Sequence, residues 1–306
     1  MSWLLNLKEK EIKSVIPEID KIEAPLKPGG QKVVFPCFIK NNKYALKFLK
    51  DSVQNFELTT EESLEFYNDN LLRAQREINL MAKCKSQYIV RLGPLKLKEV
   101  IIKGKKTAYF TEEWVCGNDL FTLIENKHMF SQMALNNLCV QITEAIFDIY
   151  SLDNIHRDIT PRNIIMLENS SEYKLLDLGI AYAFDEDSIT RQGIIGTIHY
   201  MAPERFNSAI KRDLDFRSDM FSLGVVLYHC STGKHPFFSK GMPEKDVVKC
   251  ICSITPPPPS KYRADLGSTF DKIIFKLIAK NAHLRYRTQE ELHSDLESWV
   301  NKRRRG

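Results

Sequence analysis

His156-Arg157-Asp158-Ile159-Thr160-Pro161-Arg162-Asn163 is an eight-residue stretch that a short predicted hairpin separates from Asp177-Leu178-Gly179. The Asp158 carboxylate can accept the proton of an alcohol, and the side-chain oxygens of Asn163 and Asp177 are of the kind that bind Mg²⁺. Phosphoryl transfer from ATP to a hydroxyl group requires this combination of proton acceptor and metal ligands. Because so long a cassette with a matching Asp-x-Gly behind it rarely arises by chance, the stretch predicts a site for that chemistry.

Further motifs stand before and after this cassette in a definite order. They are Tyr44-Ala45-Leu46-Lys47, Arg76-Glu77-Ile78, Glu113-Trp114-Val115-Cys116-Gly117-Asn118-Asp119-Leu120, Gly196-Thr197-Ile198-His199-Tyr200-Met201-Ala202-Pro203-Glu204, Asp219-Met220-Phe221-Ser222-Leu223-Gly224 and Asn281-Ala282-His283-Leu284-Arg285-Tyr286. In this order they resemble the motifs of the protein kinase superfamily, over about residues 17 to 300. The form of 196–204 resembles serine/threonine kinases, and the ending Arg285-Tyr286 looks more like bacterial members than animal ones.

The resemblance implies an α+β fold of two lobes. It implies a small, β-rich N-lobe with one main helix over 17–113 and a larger, mostly helical C-lobe over 114–300. Residues 1–16 match no kinase motif, and we expect an N-terminal extension with a short helix packed on the small lobe. Residues 301–306 form a basic tail that we expect to be a disordered end.

The resemblance also implies roles for residues around the nucleotide. Lys47 would hold the α- and β-phosphates, with Glu77 on the facing helix as its carboxylate partner. The Glu113 carbonyl and the Val115 N–H would bond adenine, and Asp119 would reach the ribose. The adenine would be covered by three apolar side chains: Val33, Ala45 and Ile165.

The catalytic loop follows the family pattern with one departure. The resemblance implies that Asp158 is the base, that Asn163 and Asp177 hold Mg²⁺, and that Arg285 pairs with Glu204. Thr160 stands where serine/threonine members usually carry a lysine that touches the γ-phosphate, and threonine cannot neutralise that charge. Arg162 either supplies the missing cation as a bidentate phosphate ligand or points to solvent, with low activity as the result.

The phosphate loop departs further from the family pattern of three glycines. Spacing back from Lys47 places Gly30 at the last glycine, while Pro25 and Lys27 replace the first two. Lys27 or Lys32 is an alternative side-chain contact for phosphate.

Glu112 falls at the gatekeeper position, where many kinases carry an apolar residue. Two alternatives remain open: Glu112 pairs with a nearby lysine, or the strand is offset by one and Thr111 stands there instead.

The segment 177–204 carries hydroxyl groups that suit phosphorylation. Thr190 is the first candidate and Ser188 the second, because Arg157 occupies the position that commonly receives a loop phosphate. We therefore expect autophosphorylation of this segment. Thr197 is expected instead to hydrogen-bond Asp158.

Regular elements outside the motifs are indicated by periodicity and capping pairs. Leu135, Leu138, Ile142, Ile146 and Ile149 form the stripe of an amphipathic helix, and 221–228 is apolar nearly all round, which indicates a buried helix. Thr59 with Glu62 and Thr288 with Glu291 have capping-box spacing. The gap between Lys47 and Glu77 predicts either a lengthened helix or a second short helix before it.

Composition narrows the class of protein. The chain has 306 residues, 43% of them hydrophobic, and a net charge of +5, which favours a solvated surface over nucleic-acid binding. Seven cysteines without metal-ligand spacing indicate reduced thiols in a cytoplasmic protein. The sequence shows neither a signal peptide nor a run of apolar residues long enough to span a membrane.

Three functions remain as hypotheses. The first is an active serine/threonine protein kinase that uses ATP and Mg²⁺ on a protein substrate. The second is a pseudokinase that binds nucleotide or serves as a scaffold, which Thr160 and the missing glycines favour. The third is a small-molecule kinase of related fold, which the sequence 196–204 and Arg285 disfavour.

Overall fold

The computed structural model describes residues 2–26, 32–50, 60–178, 198–206 and 214–301, without the side chains of 60–63. These residues form two compact units. The first comprises the described residues up to Lys83 together with Val90–Val115, and the second comprises Cys84–Ile89 and the described residues from Cys116 onward.

The first unit is built on a five-stranded sheet in which neighbouring strands are antiparallel and the order is β1-β2-β3-β5-β4. Its strands are β1 (Lys21–Ile22), β2 (Lys32–Ile39), β3 (Asn42–Leu49), β4 (Lys98–Ile102) and β5 (Lys105–Glu113). Lys40 and Asn41 join β2 to β3 with φ values of 49° and 64°. Positive φ at both positions is typical of the two-residue turn whose twist suits a hairpin, so this turn sets the β2–β3 register.

The N-terminal segment covers one face of this sheet. It contains a 3₁₀ helix (Trp3–Asn6) and the helix α1 (Glu9–Lys13). Its buried residues, which share one apolar cluster with side chains of β2, β3 and β5, are Leu4, Leu7, Ile12, Ile16 and Ile19. The expected short helix is therefore present and belongs to the core of the first unit.

The helix α2 (Thr60–Met81) packs on the sheet through Ala74 and Ile78, which share a cluster with Leu49, Ala108 and Phe110. It is a single helix of 22 residues. The first of the two alternatives for the long gap before Glu77, a lengthened helix, is thus confirmed, whereas Thr59 lies outside the described residues.

The second unit is larger and mostly helical. Its helices are α3 (Leu120–Glu125), α4 (Gln132–Tyr150), α5 (Phe216–Thr232), α6 (Glu244–Ser253), α7 (Gly267–Leu277) and α8 (Gln289–Asn301). A small sheet is formed by β6 (Gly117–Asp119), β7 (Ile164–Leu167) and β8 (Tyr173–Leu175), in that order. The predicted fold class, a β-rich unit with one main helix and a larger helical unit, is confirmed.

The helices of the second unit follow the predicted patterns. The apolar stripe of α4 is buried, and α5 is buried nearly all round. A Cβ on Gly224 would lie 2.7 Å from the Leu277 Cβ, so α5 and α7 approach each other more closely than a side chain at 224 would allow. The Glu291 N–H donates to the Thr288 hydroxyl at 3.2 Å, as the capping pattern predicts.

Two further sequence expectations concern cysteines and membrane spans. All seven cysteines are free thiols. Of the helices that the structure describes, none combines the length and the hydropathy that crossing a membrane would require.

Candidate active site

A buried carboxylate on α5 holds the start of the loop 156–163. Asp219 is 1% exposed; its Oδ2 accepts the His156 N–H at 2.7 Å and its Oδ1 accepts the Arg157 N–H at 2.8 Å. Burial raises the pKa of Asp219 to about 6, against the opposing effect of those two N–H bonds. The carboxylate therefore ties two consecutive peptide groups next to Asp158 to the buried helix.

His156 has a structural role. Its side chain is fully buried, and burial lowers its pKa to about 4, so the ring is neutral at physiological pH. Nε2 lies 3.2 Å from the Leu176 carbonyl, and Nδ1 accepts the Asp158 N–H at 3.2 Å. One tautomer, with the proton on Nε2, satisfies both contacts and holds the backbone of Asp158.

Asp158 and Asn163 are joined directly. The Asn163 amide nitrogen donates to the Asp158 carbonyl at 2.9 Å and to its Oδ2 at 2.7 Å. The Leu176 N–H donates to the Asn163 carbonyl at 2.8 Å, which ties Asn163 to the residue before Asp177. A shared set of hydrogen bonds thus holds Asp158, the predicted proton acceptor, and Asn163, a predicted metal ligand.

Two residues of this region have left-handed backbones. Arg157 has a φ of 67° and Asp177 a φ of 48°. Such conformations are unfavourable for residues other than glycine and concentrate at functional sites, where the surrounding structure holds them. Here the hydrogen bonds to Asp219 hold Arg157.

Asn163 and Asp177 suit a divalent cation. Because the Asn163 amide nitrogen is directed to Asp158, its carboxamide oxygen is the atom that can act as a ligand. A carboxamide oxygen and a carboxylate are both hard ligands of the kind that Mg²⁺ takes. The donor set therefore fits the metal that the sequence predicts.

The structure shows the surroundings of Thr160, which replaces the usual lysine, and of Arg162. Thr160 is 7% exposed and precedes a 3₁₀ turn (Pro161–Asn163). Arg162 is exposed, and its guanidinium carbon lies 3.7 Å from the centroid of the Phe121 ring on α3. A cation–π contact thus supports the guanidinium, an arrangement that neither alternative for Arg162 anticipated.

In the first unit, Lys47 pairs with Glu112. The Lys47 ammonium contacts both carboxylate oxygens of Glu112, at 2.7 and 2.6 Å, and the two residues are 4% and 2% exposed. Lys47 lies opposite Phe110 in the β3–β5 ladder and Ala45 lies opposite Glu112, so all four share one face of the sheet. Of the two alternatives for Glu112, pairing with a lysine is confirmed.

The predicted pair of Lys47 with Glu77 is wrong for the part of the chain that the structure describes. Glu77 is instead bonded by Lys32, whose ammonium lies 2.7 and 2.6 Å from its two carboxylate oxygens. Spacing along the sequence identifies the strand and the helix correctly, but it cannot decide between two carboxylates that compete for one ammonium.

Val33 and Ala45 lie on opposite faces of the sheet, so the expectation that both cover the adenine is wrong. Val33 is opposite Phe48 and belongs to the cluster with the N-terminal segment, whereas Val34 is opposite Lys47. Successive residues of a strand point to opposite faces, so an alignment shifted by one residue exchanges core and site positions.

The remaining predicted nucleotide contacts have structural partners of their own. The Glu113 carboxylate accepts the Arg91 N–H at 2.9 Å. Asp119 caps α3 by accepting the N–H and the hydroxyl of Thr122 at 2.9 and 2.7 Å. Ile165 lies opposite Asp119 in the β6–β7 ladder, and Val115 is partly exposed. The predicted residues outside the described parts of the chain are Lys27, Gly30, Ser188, Thr190 and Thr197.

The pair of Arg285 and Glu204 is confirmed. Two parallel hydrogen bonds of 2.6 and 2.8 Å join the fully buried guanidinium to the carboxylate. The sequence analysis missed Arg205, whose guanidinium donates to the Arg157 carbonyl, and Phe121. The sequence carries no signal for either contact, because both are set by packing within the second unit.

Comparisons with known proteins point to the same family as the sequence motifs. Residues 26–296 match the protein kinase domain family. A probable serine/threonine-protein kinase of Clostridium acetobutylicum is 29% identical over 95% of this chain and 41% of its own length. One of Corynebacterium efficiens is 32% identical over 92% of this chain and 41% of its own. This chain therefore spans about two fifths of the length of these relatives.

A solved structure supports the fold. The kinase domain of PknI from Mycobacterium tuberculosis superposes with a TM-score of 0.62 at 17% identity, covering 92% of this chain and 96% of that one. The match over 26–296 covers most of the chain and assigns the family. The chain belongs to the protein kinase domain family.

Proposed function

We propose that this protein is an ATP- and Mg²⁺-dependent protein kinase that transfers the γ-phosphate of ATP to serine or threonine hydroxyls. The observation that carries the proposal is the hydrogen-bonded pair of Asp158 and Asn163 on a loop held by Asp219. The names of the bacterial relatives support the choice of serine and threonine.

Asp158 orients the substrate hydroxyl and accepts its proton as the oxygen attacks the γ-phosphorus. Alignment of the reactants can lower such a barrier by about 7–11 kcal/mol, and the bonds from Asn163 and His156 hold Asp158 for that purpose. Asn163 and Asp177 would hold Mg²⁺, which supplies charge compensation for the phosphates when bound.

Neutralisation of the phosphates also calls for protein cations. Arg162, supported by Phe121, is placed beside Asn163 in the sequence and compensates for the missing lysine at Thr160. Autophosphorylation at Thr190 or Ser188, with Arg157 as the receiving cation, is part of the proposal. The seven free cysteines support placing the activity in a reducing compartment such as the cytoplasm.

Phosphosite mapping tests this function. Purified protein is incubated with Mg²⁺ and γ-labelled ATP, alone and with a generic protein substrate, and modified residues are located by mass spectrometry. We expect phosphoserine and phosphothreonine with the natural sequence and none with Asp158→Ala or Asp177→Asn. Equal labelling of all three proteins would contradict the proposal.

A pseudokinase is the second candidate, because Lys47 is engaged by Glu112 and Thr160 replaces the usual lysine. Nucleotide binding without transfer, in the same experiment, would favour it. Phosphate found on a small molecule instead of protein would favour a small-molecule kinase.

A further inference from the structure

A buried arginine of the 3₁₀ turn Pro203–Phe206 contacts the backbone of the loop 156–163. Arg205 is 3% exposed, and its guanidinium donates to the carbonyl of Arg157, the residue that precedes Asp158. Because the Arg157 carbonyl belongs to the peptide group that leads into Asp158, a side chain that fixes this carbonyl also restricts the backbone of the proposed base.

Both polar backbone groups of Arg157 have buried, charged partners. Its N–H donates to Asp219 Oδ1 at 2.8 Å, and its carbonyl accepts from Arg205. Arg157 has a left-handed backbone with a φ of 67°, which is unfavourable for a residue other than glycine unless the surrounding structure holds it. Asp219 on α5 and Arg205 on the turn therefore hold this conformation together.

The backbone of the turn that carries Arg205 is fixed by its own hydrogen bonds. Two bonds of 2.6 and 2.8 Å join the Glu204 carboxylate to the buried Arg285 guanidinium. The Arg205 N–H donates to the Ala202 carbonyl at 3.0 Å. A fixed backbone limits the directions that the Arg205 side chain can take, so its contact with the loop is pre-formed.

Arg205 and Asp219 also compensate each other's buried charge. Burial raises the pKa of Asp219 to about 6, whereas the two peptide N–H bonds and the positive charges of Arg205 and Arg157 lower it. Burial lowers the pKa of Arg205 to about 10, against the opposing effect of Asp219 and Asp158, so the guanidinium is charged at neutral pH. Removing the guanidinium takes one counter-charge from Asp219, and protons then bind this carboxylate more readily.

Further ionisable groups surround this pair. Those that act on Arg205 or Asp219 through their charge or their backbone are Arg157, Asp158, Glu204 and His156. Burial lowers the pKa of His156 to about 4, so its ring stays neutral where Asp219 titrates. We therefore expect Asp219 to change its charge around pH 6 while the His156 ring does not.

From these contacts we infer that Arg205 is a positioning residue for Asp158, because it fixes the Arg157 carbonyl and supplies a counter-charge for Asp219. This inference rests on the proposed function. It makes the hold on Arg157 depend on a cation from outside the loop as well as on the carboxylate of α5.

Substitutions that keep or remove the charge test the inference. Arg205→Met removes the charge and the donors at similar length, whereas Arg205→Lys keeps the charge and loses the planar fork. We expect Arg205→Met to lower the transfer rate at saturating ATP about 10–100-fold, the usual effect of losing a hydrogen bond to a charged group. The KM for ATP should stay within about twofold of wild type, and Arg205→Lys should recover part of the rate.

The pH dependence of the rate separates the charge from the hydrogen bond. If Asp219 holds two peptide N–H groups as a carboxylate, the rate should fall as the pH drops through its pKa of about 6. Without the Arg205 charge that pKa rises further. The acid limb of Arg205→Met should therefore move to higher pH by about one unit, which is a tenfold change in proton affinity. The acid limb of Arg205→Lys should remain at its wild-type position.

Arg263→Met is the matched control. Arg263 donates to the Phe130 carbonyl at 2.8 Å and to the Asp265 carboxylate at 2.7 Å, so it too joins a backbone carbonyl and a carboxylate within the second unit. Neither partner belongs to the loop 156–163, so the rate and the acid limb of Arg263→Met should equal those of wild type. Thermal unfolding verifies that each variant is folded, and Arg205→Gln replaces an Arg205→Met protein that is not.

Hydrogen exchange followed by mass spectrometry gives a measurement that needs no activity. The N–H groups of His156 and Arg157 donate to Asp219. Peptides that contain residues 156–158 should therefore exchange faster in Arg205→Met than in wild type or Arg263→Met.

Two results overturn the inference alone. One is a transfer rate and acid limb of Arg205→Met equal to those of wild type, and the other is an equal loss of rate in Arg263→Met, which would indicate a general loss of stability. A wild-type protein that transfers no phosphate to serine or threonine overturns the proposed function. Exchange that is equal in Arg205→Met and wild type would then overturn the inference as well, so the two failures are distinguishable.

Discussion

Asp158 is held in position by hydrogen bonds with neighbouring residues. Its N–H donates to Nδ1 of the neutral His156 ring, and Asn163 donates to both its carbonyl and its carboxylate. The isosteric change Asp158→Asn keeps the shape of the residue and removes the proton acceptor. We expect the rate of phosphate transfer to fall about 10²–10⁴-fold, which is the usual contribution of a positioned base, with ATP affinity within about threefold of wild type. Asp153→Asn, at an exposed position, is the matched control and should leave the rate unchanged.

A second prediction for a single residue concerns Arg162. If its guanidinium, stacked on Phe121, neutralises phosphate in place of the lysine missing at Thr160, Arg162→Ala should lower transfer about 10–100-fold. That range corresponds to the roughly 1.5–3 kcal/mol of a hydrogen bond to a charged group. Steady-state rates with saturating ATP measure the effect, with the exposed Arg287→Ala as control. Unchanged turnover in Arg162→Ala would show that the guanidinium does not neutralise phosphate.

The positions of the motif residues could be predicted from the sequence, whereas the partner of Lys47 could not. Motifs locate the loop 156–163 and Arg285, and the predicted pair of Arg285 and Glu204 is present. Lys47 was placed on the correct strand, but its partner depends on a buried carboxylate one strand away. The prediction for Val33 is wrong because an alignment shifted by one residue exchanges the two faces of a strand.

At the scale of elements, the Arg285–Glu204 pair ties a 3₁₀ turn (Pro203–Phe206) to the segment after α7. The Arg285 guanidinium also donates to the carbonyls of Arg217 and Ala279 at 2.8 Å. Removing one partner of a buried ion pair leaves an uncompensated charge, so Arg285→Ala should lower the free energy of unfolding by about 3–5 kcal/mol. Arg285→Lys should recover little of this, because lysine lacks the planar fork. Urea unfolding measures both, and a loss below that of the exposed Arg287→Ala would contradict the argument.

The packing of α5 against the turn at Tyr200 predicts a pH dependence of stability. His229 lies 2.9 Å from the Tyr200 hydroxyl through Nδ1, and burial lowers its pKa from 6.5 to about 4. As pH falls from 6.5 towards 4, the unfolded state binds a proton that the folded state does not, so stability decreases. The slope is at most about 1.4 kcal/mol per pH unit for each such group.

Other groups act in the same window. Burial also lowers the pKa values of His156, His199 and His235, whereas Asp219, with its pKa raised to about 6, offsets one of them. The free energy of unfolding should therefore fall between pH 6.5 and 4, and His229→Gln should fall less steeply than wild type. The exposed His283→Gln is the matched control, and equal slopes in all three proteins would exclude His229 as a contributor.

Elements with strong local signals were the most predictable. Periodic apolar residues indicate the helices α4 and α8, and a capping pair also indicates α8. The sequence leaves two alternatives for α2, because the polar residues before Glu77 suit either a lengthened helix or a second short helix before it. The spacing of apolar residues predicts a helix or strand only where one face of that element is buried.

At the scale of the whole molecule, the first unit contains two clusters of buried apolar residues. The N-terminal segment, which matches no motif of the family, contributes five buried aliphatic residues to the core of the first unit. Sequence reasoning expected a short helix there but could not estimate its burial, since five positions spread over a 3₁₀ helix, α1 and a loop show no single period. We therefore expect the N-terminal segment to stabilise the face of the sheet that does not carry the Lys47 side chain.

A pair of isoleucine variants tests that role. Ile12 is fully buried on α1, whereas Ile101 on β4 is 67% exposed. Ile12→Ala removes the same atoms as Ile101→Ala but leaves a cavity, so it should lower the free energy of unfolding by about 2–5 kcal/mol, with little change for Ile101→Ala. Hydrogen exchange followed by mass spectrometry should show faster exchange in 32–50 and 98–113 for Ile12→Ala only. Equal exchange in both variants would mean that the segment lies on the sheet without stabilising it.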